Sequence, residues 1–342
     1  MRATLQRSVY ALAVALAMNA CAPTPAPEES APPRVWPDAP AAPRIAHLRS
    51  FSRPEDLGIT GGVLQRLADL LLGARDARLI RPMAVVAVGD VVYVADPGAK
   101  GIHRFDPAGG RYELLYGESG SPIATPVGLA RGAGGEVFVA DAAGGQVLVI
   151  RPGARAAVRL DLHAPLKRPT GIAADPDTGQ LFVVDTAAHR VMVFGRDGAL
   201  ETSFGSRGTG DGEFNFPTLL WRDAGGRLYV TDSLNFRIQT FDARGGFIGK
   251  FGRAGDATGD AARSKGVATD RYGHIYVVDS LFHAFQVFDP AGRFLLSVGE
   301  QGRAHGEFWL PTGIFISESD TIYVADSYNR RVQVFRYVGG PT

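Results

Sequence analysis

Cysteine, surplus charge and long apolar runs are all scarce in this sequence of 342 residues, and each scarcity excludes a class of protein. Cys21 is the single cysteine, so neither an intramolecular disulfide nor a zinc site made of several cysteines can form. The formal net charge is +1, which gives no overall positive field to hold a polyanion, so we expect no nucleic acid as a partner. The apolar run at residues 9–17 is too short to span a bilayer as a helix.

The beginning of the chain predicts export. Residues 1–7 carry two arginines and no acid, and the short apolar run follows them, as in a secretory signal. Cys21 ends the segment Met18-Asn19-Ala20-Cys21, which resembles a bacterial lipobox, in which the cysteine is acylated. We therefore expect a signal peptide over residues 1–20, lipidation of Cys21 and a periplasmic address, with the lipid anchor as the only membrane attachment and the outer membrane favoured over the inner. An ordinary leader cut after Ala22 is the alternative.

Residues 21–43 are rich in proline and alanine, with eight prolines between residues 22 and 43. Such a composition favours an extended, semi-rigid chain over a helix or a paired strand. We predict a tether that holds the folded body away from the membrane, and a proline-rich ligand for a partner protein is the alternative.

The most informative feature present is a short pattern, aromatic-Val-x-Asp, which occurs six times. Its aspartates are spaced 45, 44, 47, 47 and 47 residues apart: Asp96, Asp141, Asp185, Asp232, Asp279 and Asp326. A fixed period of this size indicates one supersecondary unit that is repeated and packs against its neighbours.

A complete unit contains four short strand patterns separated by turn residues. In the sixth unit these are residues 311–316, 321–325 and 331–335, and the fourth strand is visible in other units as Phe247–Phe251 and Phe294–Val298. Four antiparallel strands repeated six times predict an all-β fold, a six-bladed β-propeller.

The sixth unit ends after its third strand, whereas residues 45–51 form a strand pattern that has no unit of its own. We predict that this N-terminal strand pairs with residues 331–335 and closes the ring, which removes the exposed edges of an open sheet. The predicted segments are a closing strand at 44–53 and blades at about 82–120, 121–165, 166–210, 211–260, 261–305 and 306–338.

Residues 54–81 interrupt this plan. After Thr60, a possible helix cap, an apolar pattern at helical spacing runs from residue 63 to residue 71 and ends at Gly73. The sequence predicts one short inserted helix that packs on the propeller by its leucine face, with a lid or docking helix as the alternative.

The units resemble NHL repeats, a resemblance carried by residues 326–335, residues 232–239 and the glycine-rich connectors 205–218 and 299–312. It extends over residues 80–338 and implies a six-bladed propeller. Three units depart from the NHL pattern, since the arginine that follows the aspartate by five residues is replaced by Gly101, Gln146 and Ala284. The resemblance implies little about activity, because propellers carry unrelated functions.

Strand parity identifies one candidate surface. In a four-stranded antiparallel blade, the turn between the second and third strands lies on the same face as the connector to the next blade. We call this the connector face, and propeller ligands tend to bind on one face around the central channel. The candidate binding residues on it are His189, Arg190, Asp232, Asn235, Arg237, His283, Glu307, Trp309, Asn329 and Arg331.

A structural role competes for the same residues. The recurring aspartates and arginines are equally suited to form ion pairs that brace the turns, and Trp309 and Phe214 suit packing between blades. His189 and His283 occupy the same place in two units that lie two blades apart, so we do not expect them to share a metal ion.

The sequence lacks the metal ligands that an enzyme of this type would need. Propellers that resemble NHL repeats include a lyase for peptidyl-hydroxyglycine, whose zinc is held by histidines on the inner strands. The matching positions here contain neither histidine nor carboxylate: Met83-Ala84, Val127-Gly128, Thr170-Gly171, Thr218-Leu219, Lys265-Gly266 and Thr312-Gly313. A lactonase-like calcium site would also need inward carboxylates.

We therefore expect no catalytic residue, no cofactor and no metal, and predict a binding or assembly module for an envelope protein or a small ligand. The alternatives are a small-molecule hydrolase or lyase of the NHL or lactonase-like type, and a sensor of cell-wall fragments.

Overall fold

A computed structural model describes residues 34–42, 44–60 and 77–339, and these residues form six antiparallel sheets arranged as blades. The predicted six-bladed, all-β propeller is confirmed. The strands of the first three blades and of the closing segment are β1 Val35–Trp36, β2 Ile45–Phe51, β3 Ala84–Val88, β4 Val91–Asp96, β5 Gly101–Asp106, β6 Arg111–Leu115, β7 Pro126–Arg131, β8 Val137–Asp141, β9 Gln146–Ile150, β10 Val158–Arg159, β11 Pro169–Ala174, β12 Leu181–Asp185, β13 Arg190–Phe194 and β14 Leu200–Phe204. The remaining strands are β15 Pro217–Arg222, β16 Leu228–Asp232, β17 Arg237–Phe241, β18 Phe247–Phe251, β19 Ser264–Thr269, β20 Ile275–Asp279, β21 Ala284–Phe288, β22 Phe294–Val298, β23 Ile314–Ile316, β24 Thr321–Asp326 and β25 Arg331–Tyr337.

The blades follow the chain in order. Blades one to five are β3–β6, β7–β10, β11–β14, β15–β18 and β19–β22, and in each the first strand is innermost. Each innermost strand contacts the innermost strand of the next blade, and β23 of blade six contacts β3 of blade one, so these strands surround a central channel. The ring therefore has no open edge at its centre.

Helical structure in the described part of the chain is limited to four short 3-10 turns: Pro54–Leu57, Glu118–Gly120, Thr186–Ala188 and Ser233–Asn235. No helix among the described residues is long and apolar enough to cross a membrane. The predicted helix at residues 63–73 lies outside the described residues, as do the predicted signal peptide and Cys21. The chain on either side of the predicted helix is anchored, since Leu57, Ile59 and Leu79 are buried against blades six and one.

Blade six is closed by the N-terminal strand, as the sequence predicts. β2 pairs antiparallel with β25 from Ile45 opposite Tyr337 to Phe51 opposite Val332, with one irregularity between His47 and Arg49. The order in this sheet is β1-β2-β25-β24-β23, so both ends of the chain contribute to one blade. This arrangement pairs residues that are almost 300 positions apart, so closure of the ring depends on long-range contacts.

The predicted tether is too long at its C-terminal end. Residues 35 and 36 form a fifth, outer strand in which Trp36 lies opposite Ile45. The indole of Trp36 is buried and meets the ring of Phe335 edge-on at 5.8 Å, while Arg34 forms an ion pair with Glu300. The expectation of an unpaired spacer up to residue 43 was wrong here because an aromatic side chain gains more from burial than the flanking prolines lose in pairing.

The closing strand also carries a buried histidine. His47 donates or accepts a hydrogen bond with the Ser50 hydroxyl at 3.0 Å, and its ring lies edge-on to Phe335 and 5.0 Å from the ring of His305. Burial lowers the pKa of His47 to about 4, and repulsion from His305, Arg331 and Arg34 adds to this effect. The folded protein therefore holds this imidazole neutral at pH values at which an unfolded chain protonates it.

We expect acid to loosen the closure. Between pH 6.5 and about 4 the unfolded chain binds a proton at His47 and the folded chain does not, so the free energy of unfolding should fall by about 1.4 kcal/mol per pH unit from this residue. Urea unfolding of the wild-type protein and of His47→Gln across this range measures the effect. The variant should lose that part of the slope, whereas His163→Gln, at an exposed position, should keep it. Equal slopes for wild type and His47→Gln would contradict the assignment.

Candidate functional site

The turn between the second and third strands of blade four shows how the connector face is built. The Asp232 carboxylate is fully buried and accepts hydrogen bonds from the backbone N–H of Asn215 at 2.7 Å and from Arg237 Nε at 2.7 Å. The side-chain amides of Asn235 and Gln239 also donate to it, at 2.8 and 3.1 Å. This carboxylate is saturated by its own turn and by the connector that enters its blade.

Arg237 extends this network into the connector. Its guanidinium donates to the carbonyl oxygens of Thr209, Gly210 and Glu213 at 2.7–2.9 Å. The side chain is buried, so its charge is balanced by Asp232 and by these carbonyl dipoles. In blade four the two charged residues therefore act as a brace, which is the structural alternative that the sequence left open.

Blade six repeats the brace. Arg331 Nε lies 2.8 Å from Asp326, Asn329 donates to the same carboxylate at 2.9 Å, and Arg331 also donates to the carbonyl oxygen of Glu307 at 2.7 Å. Burial raises the pKa of Asp326, and hydrogen bonds from Trp309 N–H, Asn329 and Arg331 oppose that rise. The candidate residues of this blade are thus engaged in holding the connector.

In blades one and two, which lack the arginine, other residues take its place. Gln146 donates to Asp141 at 3.1 Å in blade two. In blade one, His103 Nε2 lies 3.4 Å from Asp96, and its Nδ1 lies 2.9 Å from the hydroxyl of Tyr112. His103 was not among the predicted site residues, although it follows its aspartate by seven residues, as Gln239 follows Asp232 in blade four.

The two candidate histidines each bind a backbone group. His189 Nδ1 accepts the N–H of Phe216 at 3.2 Å, and His283 Nδ1 accepts the N–H of Leu310 at 3.1 Å. Burial lowers the pKa of His283, with Asp326 and Asp279 acting in the opposite direction. Each histidine therefore fixes the connector of the following blade. Across the described ranges, no three His, Cys, Asp or Glu side chains cluster in a way that could hold a metal ion.

Two further candidate residues, Arg190 and Glu307, differ in their contacts. Arg190 forms no ion pair with Asp185 in the described structure, and its buried Nε has no hydrogen-bond partner there. The reason is local, because the connector into blade three lacks the glycine-rich loop whose carbonyls receive Arg237 in blade four. Glu307 accepts the N–H of Ala304 at 2.9 Å and lies 3.9 Å from Arg34.

Phe308, and not Trp309, packs between the strands of blades five and six. Phe308 and Phe214 are the fully buried connector residues, and their rings contact Phe335 and Phe241 at centroid distances of 5.8 and 5.5 Å. Trp309 instead lies half-buried on the connector face, between the guanidinium of Arg303 and the ring of Tyr328. Assigning the packing to Trp309 was therefore wrong by one residue.

The turn of the connector explains the shift. Gly299 has a φ of +100°, and a Cβ at this position would collide with the ring of Phe308, as a Cβ at Gly205 would with the ring of Phe214. The glycine is thus needed both for the left-handed backbone and for the close approach of the ring.

A ring of apolar side chains remains exposed on this face. Its members occupy the second-to-third turns or the residues just before an innermost strand, and they are 37–53% exposed: Ile80, Phe216, Leu234, Leu281 and Tyr328. We call them the apolar ring. They belong to blades one, four, five and six and lie beside the entrance of the central channel, because both segments lead to or lie beside the innermost strands.

Hydroxyl groups seal the walls of the channel just below this entrance. Thr170 Oγ1 donates to the carbonyl oxygen of Thr218 at 2.6 Å, and Thr312 Oγ1 donates to that of Met83 at 3.0 Å. At the same level blade five presents Lys265, which is half-buried. It is the one charged residue among the six positions that the sequence analysis compared for zinc ligands.

Trp221 forms a floor. It belongs to blade four, yet its indole N–H donates to Thr269 of blade five at 2.9 Å and its ring meets Phe315 of blade six at 5.9 Å. It also packs on the cluster between blades six, one and two. The indole therefore reaches into the channel near the end opposite the connector face.

These features define the class of protein: a closed six-bladed β-propeller that exposes a set of apolar side chains, the apolar ring, on its connector face. The sequence pattern of a family described as a 6-bladed beta-propeller matches residues 175–250 and 267–339, which lie in blades three to six. No curated protein sequence matches the chain.

Several solved structures share the architecture. One is the virginiamycin B lyase of Staphylococcus aureus, with a TM-score of 0.57 and 15% identity over 76% of this chain and 96% of the lyase. Another is an auxiliary nutrient binding protein of Bacteroides ovatus, with a TM-score of 0.59 and 14% identity over 76% of this chain and 70% of that protein. A third, from Bacteroides thetaiotaomicron, has no known function, a TM-score of 0.59 and 17% identity over 77% and 71%. Such low identities show a shared fold.

Proposed function

We propose that the protein is a binding module without catalysis, and that its partner or ligand docks on the connector face around the channel entrance. The apolar ring is the observation that carries this proposal. Five large apolar side chains are exposed together there, rimmed by polar turns, and such a patch is typical of an interaction site.

The polar groups on the same face favour binding over chemistry. Asp232 and Asp326 are saturated by hydrogen bonds, and His189 and His283 each bind a backbone N–H. A general base or nucleophile needs a side chain that is free to meet a substrate. The similarities to an auxiliary nutrient binding protein and to a lyase both extend to the fold alone, so the choice between binding and chemistry rests on these side chains.

The proposal also includes the cellular location of the protein and the type of its repeats. The lipobox-like segment supports lipidation of Cys21 in a bacterial envelope, and the repeated turns support an NHL-type propeller. Because Trp36 is part of blade six, the free tether would span residues 22–33, outside the described residues. Membrane fractionation tests the anchor: Cys21→Ser should move the protein to the soluble fraction, and retention in membranes would remove the anchor from the proposal.

A paired substitution tests the docking surface. Leu234→Asp with Leu281→Asp should weaken capture of the cognate envelope component at least about tenfold, because burying one leucine is worth about 1.5–3 kcal/mol. The matched control is Ile248→Asp with Leu295→Asp. These residues lie on the outer strands of the same two blades and are 52% and 47% exposed, against 53% and 52% for the ring leucines.

The measurement is in two stages. In-cell crosslinking of the full chain identifies the component that wild type captures, and its Kd is then measured for wild type and both double variants. The control should stay within about twofold of wild type. Equal weakening by both pairs, or no weakening by the ring pair, would contradict docking at this face.

A further inference from the structure

We propose that the entrance of the channel is an anion-binding site, in which Lys265, Arg168 and Arg263 receive the carboxylate or phosphate group of a small organic ligand. The inference rests on the proposed binding function and adds the chemical class of what is bound.

The arginines are placed by the repeat. Arg168 and Arg263 stand immediately before the residue that begins an innermost strand, in blades three and five, and Arg81 lies three residues before that of blade one. Every second blade thus presents a guanidinium to the channel entrance, and the intervening blades present Thr125, Phe216 and Leu310 there. Arg81 lies over the ring of Tyr328, whereas Arg168 and Arg263 are exposed.

Lys265 lies one step further into the channel. Burial lowers its pKa, and so does repulsion from Arg263 and Arg168, while Asp279 acts in the opposite direction. Arg168 stands immediately before β11, Arg263 immediately before β19, and Lys265 is the second residue of β19. Both are innermost strands that begin at the connector face, so the three cations lie around the same end of the channel.

No protein carboxylate neutralises them. Within the described residues, Lys265, Arg168, Arg263 and Arg81 have no acidic side chain within ion-pair distance. The nearby Asp279 is directed to the backbone, since it accepts the N–H groups of Ala262 and Arg263 at 2.9 and 2.7 Å. A partly buried cation without a counterion is destabilising, and a bound anion would remove that cost.

At the opposite end of the channel two arginines are paired with carboxylates. There, Arg222 pairs with Asp175 at 2.8 Å, and Arg271 pairs with Asp320. Both pairs link the first hairpins of adjacent blades. The same kind of residue is thus neutralised at one end of the channel and left open at the other.

The walls limit what the site accepts. The hydroxyls of Thr170 and Thr312 already donate to carbonyl oxygens, so the cations are the free donors at this level. Met83 and Val127 offer apolar wall, and Trp221 closes the far end. The fitting ligand is small, carries a carboxylate or phosphate, and has an apolar part that lies against the apolar ring.

Calorimetric titration of the full chain with inorganic phosphate, citrate and glucose tests the site. Wild type should bind phosphate or citrate but not glucose, with an affinity that falls as salt rises. Stronger binding of citrate assigns the site to carboxylates, and stronger binding of phosphate assigns it to phosphate groups. Lys265→Met and the double variant Arg168→Gln with Arg263→Gln should each weaken binding at least tenfold, and Lys265→Arg should retain it.

Lys250→Met is the matched control, because Lys250 pairs with Asp211 away from the channel. A thermal melt separates binding from folding: without anion, Lys265→Met should melt no lower than wild type, and added anion should raise only the wild-type transition. Unchanged affinity in Lys265→Met, or no binding of either anion by wild type, would overturn the anion site. Loss of partner capture by the ring leucine pair would in that case still uphold the proposed function.

Discussion

Phe51→Ala should lower the free energy of unfolding of the whole propeller by about 3–5 kcal/mol while leaving a single transition. Phe51 is fully buried at the end of the closing strand, and its ring meets that of Phe105 edge-on at 5.3 Å. Because Phe105 belongs to blade one, the substitution opens a cavity at the seam between blades six and one. Urea unfolding followed by both circular dichroism and tryptophan fluorescence measures the loss.

Leu48→Ala is the control, since Leu48 lies on the same strand but is 45% exposed. It should cost less than about 1 kcal/mol. The same argument predicts that deletion of residues 44–51 destabilises all blades together. Two separate transitions in Phe51→Ala, or equal losses in the two variants, would show that closure does not control the stability of the ring.

Arg237→Ala should destabilise the protein by about 3–5 kcal/mol, although the side chain lies on a rim and far from the channel floor. The substitution leaves the buried Asp232 without its cation and removes donors from three connector carbonyls. Breaking one partner of a buried pair is costly because the remaining charge stays desolvated. Denaturant unfolding measures the difference.

The matched control is Arg190→Ala, at the equivalent position of blade three. Arg190 has no ion pair with Asp185 in the described structure, and its buried Nε has no partner there. Its loss should therefore cost less than about 1 kcal/mol. If Arg190→Ala were as damaging as Arg237→Ala, the ion pair would not be the source of the stability.

The fold could be predicted from the sequence because the recurring aspartates mark every blade. The position of Ile45–Phe51 could also be predicted, since it was a strand pattern without a unit and residues 331–335 lacked a fourth strand. The role of Trp36 could not, because two residues between prolines have no periodicity and the partner that buries them lies at the other end of the chain.

The candidate site was harder to predict for a different reason. An aspartate and an arginine five residues apart, such as Asp232 and Arg237, satisfy a brace and a ligand site equally well, and only the bound carbonyls distinguish the two. Lys265 was identified as an inner-strand residue, but its significance depends on Arg168, which stands at the start of the innermost strand of another blade. Arrangements of that kind follow from ring geometry and leave no local pattern.

The outer strand of blade six has a mechanical consequence. β1 contributes two residue pairs to the edge of the sheet, and β2 lies between it and β25. A pull on residue 34 is therefore first taken up by these two pairs, by the Arg34–Glu300 ion pair and by the buried indole of Trp36, while β2 stays in place. Detachment of this short strand would absorb a transient force before the force reaches the β2–β25 pairing that closes the ring.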